Sequence, residues 1–202
     1  LILTGVLMMK QKYLTGTLKL VYAAVCLSLC LVLPFLTGQI PEIGSKLSPM
    51  HLPVLLCGFL CGWQYGLAVG AVAAPLRFLL FTMPPFPNCL FMAFELAAYG
   101  LMTGLFYKAF PKKAGYIYVN LILSMLIGRI VWGAARFALM GLTNTTFSFQ
   151  LFLSGAFLDA IPGIICQIVL VPLIVIALQK ANGLPAGRPA KRAPSASAQE
   201  TV

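Results

Sequence analysis

Arg129 and Arg136 stand seven residues apart in GRIVWGAARF, a run that is otherwise almost wholly apolar. On an α-helix that spacing is two turns and nearly one face, which sets the two positions about 10 Å apart along it. A guanidinium presents a planar fork of N–H donors that matches a carboxylate or phosphate. Other polar groups sit in similar apolar surroundings: Arg77 in PLRFLLF, Glu95 in FELAAYG, Asp159 in FLDAIPG, His51 in MHLPVLL, and Asn88 after the prolines of PPFPN. Brought together, such groups hold a small polar molecule by charge-assisted hydrogen bonds. Catalysis has thinner support. His51 is the single histidine, and no G-x-S-x-G, H-E-x-x-H or G-x-x-x-x-G-K-[ST] motif occurs. The chemistry expected is binding, with no metal or cofactor required and no enzyme activity.

The elements that must position these residues follow from composition. Of the 202 residues, 60% are hydrophobic and 9% charged, and the mean hydropathy is +0.96. A soluble domain keeps about 25% charged residues to stay wet, so the chain reads as an all-α integral membrane protein. Six apolar segments approach the length a spanning helix needs: about 18–37, 50–62, 64–82, 88–107, 116–141 and 150–179. The second is short, and only GWQYG divides it from the third. Residues 1–17 then form a cytoplasmic N-terminal segment with no signal-peptide cleavage site, and 18–180 form a six-helix transmembrane substrate-binding domain. Residues 181–202, rich in Pro, Ala, Ser and Arg, form a disordered basic cytoplasmic tail.

The net charge of +10 is read as topology rather than as a nucleic-acid footprint, because basic residues collect in cytoplasmic loops. With the N-terminus inside, Lys10, Lys12, Lys19, Lys108, Lys112, Lys113, Lys180, Arg188, Lys191 and Arg192 are cytoplasmic, and only Lys46 falls in an outer loop. Six spans with both termini cytoplasmic satisfy that rule. Depth follows from orientation. His51 opens the second helix at the outer face, Glu95 lies about two turns inside the fourth and Asp159 two to three turns inside the sixth. Arg77 and Arg136 lie near outer ends, with Arg129 near the midplane.

Each intramembrane arginine costs about 2.5–3.5 kcal/mol on insertion scales, and such residues face a bundle interior or a wet cavity. Structural pairing of Arg136 with Glu95 and Arg129 with Asp159 would still leave one cation over. An anionic ligand is its natural counter-charge, unless Arg77 snorkels to the surface. The outer loops TGQIPEIGSKLSPM, TMPPFPN and GLTNTTFSF are suited to a lid. Trp132, one turn from both arginines, lines the pocket or packs in the core; Trp63 is read as an interfacial anchor.

Cys26/Cys30 and Cys57/Cys61 are each four apart, the spacing of a zinc half-site. Without a second His/Cys pair to complete it, they are read as small hydrophobes. Gly58, Gly62, Gly66 and Gly70 recur every four residues, with Gly100/Gly104 and Ala24/Ser28 as further small-xxx-small pairs. Such stripes permit close helix packing within a bundle or against a partner.

Residues 48–108, with MHLPVLLCG, PLRFLLFTMPP and FELAAYG as the most specific parts, resemble the S components of bacterial energy-coupling factor (ECF) vitamin transporters, most of all the pantothenate-type subgroup. The segment KLVYAAVCLSLCLVLP resembles their first helix. The resemblance implies a six-helix bundle in the bacterial cell membrane that binds a vitamin near the outer face, under the loop between helices one and two. It also implies assembly with a transmembrane coupling protein and two ATP-binding subunits for ATP-driven uptake. Ala24 and Ser28 match the alanine-rich coupling motif, with serine where alanine is usual; Gly62 and Gly66 are further candidates for a partner surface. Arg77 and Arg136, then Arg129, are the candidates for the pantothenate carboxylate. Glu95, Asn88, His51 and Asp159 are candidates for its hydroxyls and amide. A neutral or cationic vitamin (pyridoxine or a thiamin precursor), or a stand-alone secondary transporter, are the alternatives.

Overall fold

The computed structural model describes residues 16–37, 49–111, 113–142 and 161–180. Helix α1 (Gly16–Val32) runs on into a 3-10 turn (Leu33–Thr37). It is followed by α2 (His51–Cys61), α3 (Trp63–Phe81), α4 (Asn88–Ala109), α5 (Ala114–Leu142) and α6 (Ile161–Lys180). These are the six apolar segments of the sequence, their ends shifted by a residue or two. The exception is the start of the sixth, where 150–160 lie outside the described residues, as do most of the terminal segments. Five of the helices are long and apolar enough to cross a membrane; the 11-residue α2 is not. Leu79 (76% exposed), Leu173 (63%) and Phe137 (62%) point away from the bundle, an outer surface that suits lipid and not water.

Helix α4 is the hub and packs on α2, α3 and α5. The α3–α4 contact is a glycine seam. A Cβ added to Gly66 would collide with the Gly100 carbonyl and one on Gly70 with the Leu96 carbonyl. One on Gly100 would strike the Gly66 carbonyl, and one on Gly104 the Trp63 backbone nitrogen. Gly58 brings α2 equally close to Gly100 and Thr103. The four-residue glycine stripe is therefore occupied within the chain at Gly58, Gly66 and Gly70, while a Cβ on Gly62 would meet nothing within 4 Å. Gly66 is buried in this seam, and Gly62, at φ 92°, makes the one-residue turn between α2 and α3, a conformation that favours glycine. Gly100→Ala sets a methyl against backbone that has no rotamer to give. It is expected to cost about 1–3 kcal/mol, seen as a lower midpoint of thermal unfolding in detergent. Gly115→Ala, with nothing within 4 Å of the added Cβ, should leave the midpoint in place.

The seam also fixes register. His51 meets Glu95 and Tyr99, and Gly58 meets Gly100 to Gly104, so α2 runs parallel to α4 and covers only its middle. Glu95 is seven residues into α4, so α2 begins about 10 Å below the Asn88 end of α4. Its first residue, His51, is 2% exposed. The sequence reading of His51 as a residue of the outer face is corrected here. Helix α2 is short because it starts inside the bundle.

Candidate functional site

Three helices deliver one polar cluster to the depth at which α2 begins. Glu95 of α4 is 2% exposed, and a carboxylate cannot rest there without partners. Tyr99, one turn later on the same face, donates its hydroxyl to Glu95 Oε1 at 2.9 Å. From α5, Arg129 Nη1 lies 3.1 Å from the same oxygen. From α2, His51 Nε2 stands 3.4 Å from it, and the His51 and Tyr99 rings meet edge-on with centroids 5.2 Å apart. Gly128 makes this possible, since a Cβ there would run into Cδ1 and Cε1 of Tyr99. The α5 backbone lies against the tyrosine ring, and the next residue, Arg129, reaches Glu95.

The cluster brings together one carboxylate, one guanidinium, one phenol and one imidazole. Both nitrogens of His51 and Nε of Arg129 find no hydrogen-bond partner among the described residues. Beside Arg129, between α5 and α6, runs a cleft of about 180 Å³ lined by Ile122, Met125, Leu126, Ile164 and Ile168. On the opposite side a ladder of buried neutral groups holds α5 to α4. Asn120 Nδ2 donates to the Thr103 carbonyl at 3.0 Å and Ser124 Oγ to Asn120 Oδ1 at 3.0 Å.

The arginines behave differently from one another. The structural pairing weighed above for Glu95 with Arg136 is not the one formed: its partner is Arg129, because the α4–α5 register set at Gly128 brings that residue to Glu95. The alternative partner of Arg129, Asp159, lies outside the described residues. Arg77 does not snorkel. It is 3% exposed, donates to the Leu31 carbonyl at 2.5 Å, and lies against the rings of both Phe35 (5.1 Å) and Phe81 (5.4 Å). Its guanidinium thus clasps the last turn of α1 to the end of α3. Arg136 is half-buried over the Trp132 ring at 5.2 Å. Among the described residues neither Arg77 nor Arg136 has a carboxylate within salt-bridge distance.

Asn88 is exposed at the first turn of α4, apart from the cluster. Trp63 is exposed at the start of α3. Cys26, Cys30, Cys57 and Cys61 are buried within the apolar core. Ala24 and Ser28 share the face of α1 turned away from the bundle, alongside Leu20, Val21 and Val25, and Ser28 Oγ donates to the Ala24 carbonyl at 3.0 Å. Two members of the site escaped the sequence reading. Tyr99 follows Glu95 by the four residues that stack side chains on one helix face, and that spacing was the available signal. Gly128 had none beyond its place before Arg129.

Compared with known families, residues 18–175 match the family model described as ECF transporter, substrate-specific component. No curated protein and no solved structure matches the chain.

Proposed function

This chain belongs to the family of substrate-specific components of ECF transporters, and we propose that the vitamin it binds is a small anionic one, pantothenate being the best match. As a member of that family it is a multi-pass, membrane-embedded, substrate-binding transport subunit, not an enzyme. The observation that carries the ligand reading is charge. Glu95 is already matched by Arg129, while Arg77 and Arg136 are cations without a carboxylate among the described residues. Arg77 is engaged at the end of α1, which leaves Arg136 as the better partner for a ligand carboxylate, through a bidentate pair.

The remaining expectations fit around this site. Lys19, Lys108, Lys113 and Lys180 occupy one end of the bundle by position in their helices. That supports a cytoplasmic assignment for this end and for both termini, with the Asn88 end facing out of a bacterial plasma membrane. The outward face of α1 at Ala24 and Ser28, small and exposed among the described residues, suits close packing against a transmembrane coupling protein. Two ATP-binding subunits would drive uptake.

Calorimetric titration of the purified protein tests the reading. Pantothenate is expected to bind; Arg136→Ala should weaken it at least about tenfold, the loss of one charged hydrogen-bonded pair. Lys108→Ala, at the other end of the bundle, should bind as the parent does. Equal affinities would remove the site. A second reading has one observation in its favour, the Glu95–Arg129 pair itself, since a neutral vitamin such as pyridoxine leaves the arginines to structural pairing. Tight pyridoxine binding with no pantothenate binding would decide for it. Uptake into vesicles without ATP or partner subunits would instead mark a stand-alone transporter.

A further inference from the structure

We propose that the ligand stands in the site with its uncharged, donor-bearing end at the His51–Glu95–Tyr99–Arg129 cluster and its anionic end two turns away at Arg136. The proposal rests on the vitamin reading above and adds to it an orientation and a division of labour among residues. Tyr99, Arg129 and His51 all address the same oxygen of Glu95, Oε1. None of these three contacts uses Oε2, so a ligand donor would meet Glu95 there. His51, 2% exposed, has both ring nitrogens without a hydrogen-bond partner among the described residues, and a buried imidazole in that condition calls for a polar group from elsewhere. A hydroxyl is both donor and acceptor, and one placed here serves Glu95 Oε2 and a His51 nitrogen together.

The same cluster discriminates against a carboxylate. Arg129 is spent on Glu95 at 3.1 Å, so a second anion would meet the negative charge of Glu95 with no free cation to offset it. The cleft between α5 and α6, which shares Arg129 with the cluster and is otherwise lined by Ile122, Met125, Leu126, Ile164 and Ile168, would take an apolar branch of the ligand. The class of group that fits is therefore a branched alkyl alcohol or amide. Arg136 stands about 10 Å further along α5, beyond the reach of Glu95, where an extended pantothenate would carry its carboxylate.

The test uses the purified full-length protein with three probes: pantothenate, pantothenol (the carboxylate replaced by an alcohol) and pyridoxine. Titrations compare the parent with Glu95→Gln and Arg136→Gln. The parent should prefer pantothenate over pantothenol at least about tenfold, from one charge-assisted pair. Arg136→Gln should bring that ratio to about one, by weakening pantothenate much more than pantothenol. Glu95→Gln should weaken both ligands by the same factor and leave the ratio intact. The inverse pattern, with the ratio lost in Glu95→Gln and kept in Arg136→Gln, overturns the orientation. Tyr99→Phe, which keeps the ion pair, serves if Glu95→Gln fails to fold, and should weaken both ligands equally. Because His51 is the single histidine, its imidazole ¹⁵N signals report the cluster directly and should shift on ligand addition. If pyridoxine binds in place of pantothenate, the vitamin reading fails. The role of the cluster then stands only if pyridoxine moves those signals and weakens in Glu95→Gln. No movement by any of the three probes overturns the proposal.

Discussion

Arg129→Ala is expected to be the most damaging single substitution in the chain, costing about 3–5 kcal/mol of stability and all measurable vitamin binding. The size follows from what is left behind. Glu95 is 2% exposed, and without Arg129 its carboxylate keeps one hydroxyl donor, Tyr99, and an imidazole at 3.4 Å. An unpaired charge at that depth either takes up a proton or unpacks α4 from α5. The double substitution Glu95→Gln with Arg129→Met removes both charges and keeps the volume. It should recover most of the thermal unfolding midpoint in detergent, because replacing a buried pair by apolar groups is often near neutral. Binding should not recover with it, since Oε2 of the carboxylate is gone. A single variant as stable as the parent would show that the pair does not hold α5 in place. A double variant that binds normally would remove the cluster from the ligand site.

The helices were legible because a bilayer imposes length on every segment that crosses it, and apolar runs bounded by GWQYG, PPFPN and PKKAG state those lengths openly. Side-chain partnership was less legible. Whether Glu95 meets Arg129 or Arg136 is a choice between two positions on one face of α5, a sliding of two turns along α4. Apolar composition is the same in either register. What decides it is Gly128 against the Tyr99 ring and the Asn120–Thr103 hydrogen bond. Those are contacts between residues whose types announce nothing on their own. The depth of His51 was hidden for a related reason. Eleven residues say that α2 is short, but the contacts of Gly58 with Gly100 and Thr103 say where along α4 it sits. The glycine stripe was readable as close packing, while its neighbour, α4 and not a partner, needed the fold.

Arg77→Ala is expected to loosen the junction of α1 and α3 more than it weakens ligand binding. The guanidinium satisfies the Leu31 carbonyl, one of the last carbonyls of α1 (Gly16–Val32), where a cation also complements the helix dipole. It lies against Phe35 and Phe81, whose rings pack edge-to-face at 4.9 Å. Two desolvated cation–π contacts and a charged hydrogen bond together amount to about 2–4 kcal/mol. Loss of that amount should lower the unfolding midpoint and speed amide exchange at 31–37, with α4 and α5 unaffected. Lysine keeps the charge without the planar fork, so Arg77→Lys should recover only a minor part. Phe35→Leu should reproduce the effect, and the two changes combined should cost less than their sum, as residues of one cage do. If Arg77 meets the ligand carboxylate directly, Arg77→Ala abolishes the preference for pantothenate over pantothenol and Phe35→Leu leaves it. If the cage is its role, neither substitution changes that preference, and both destabilise the same end of α1.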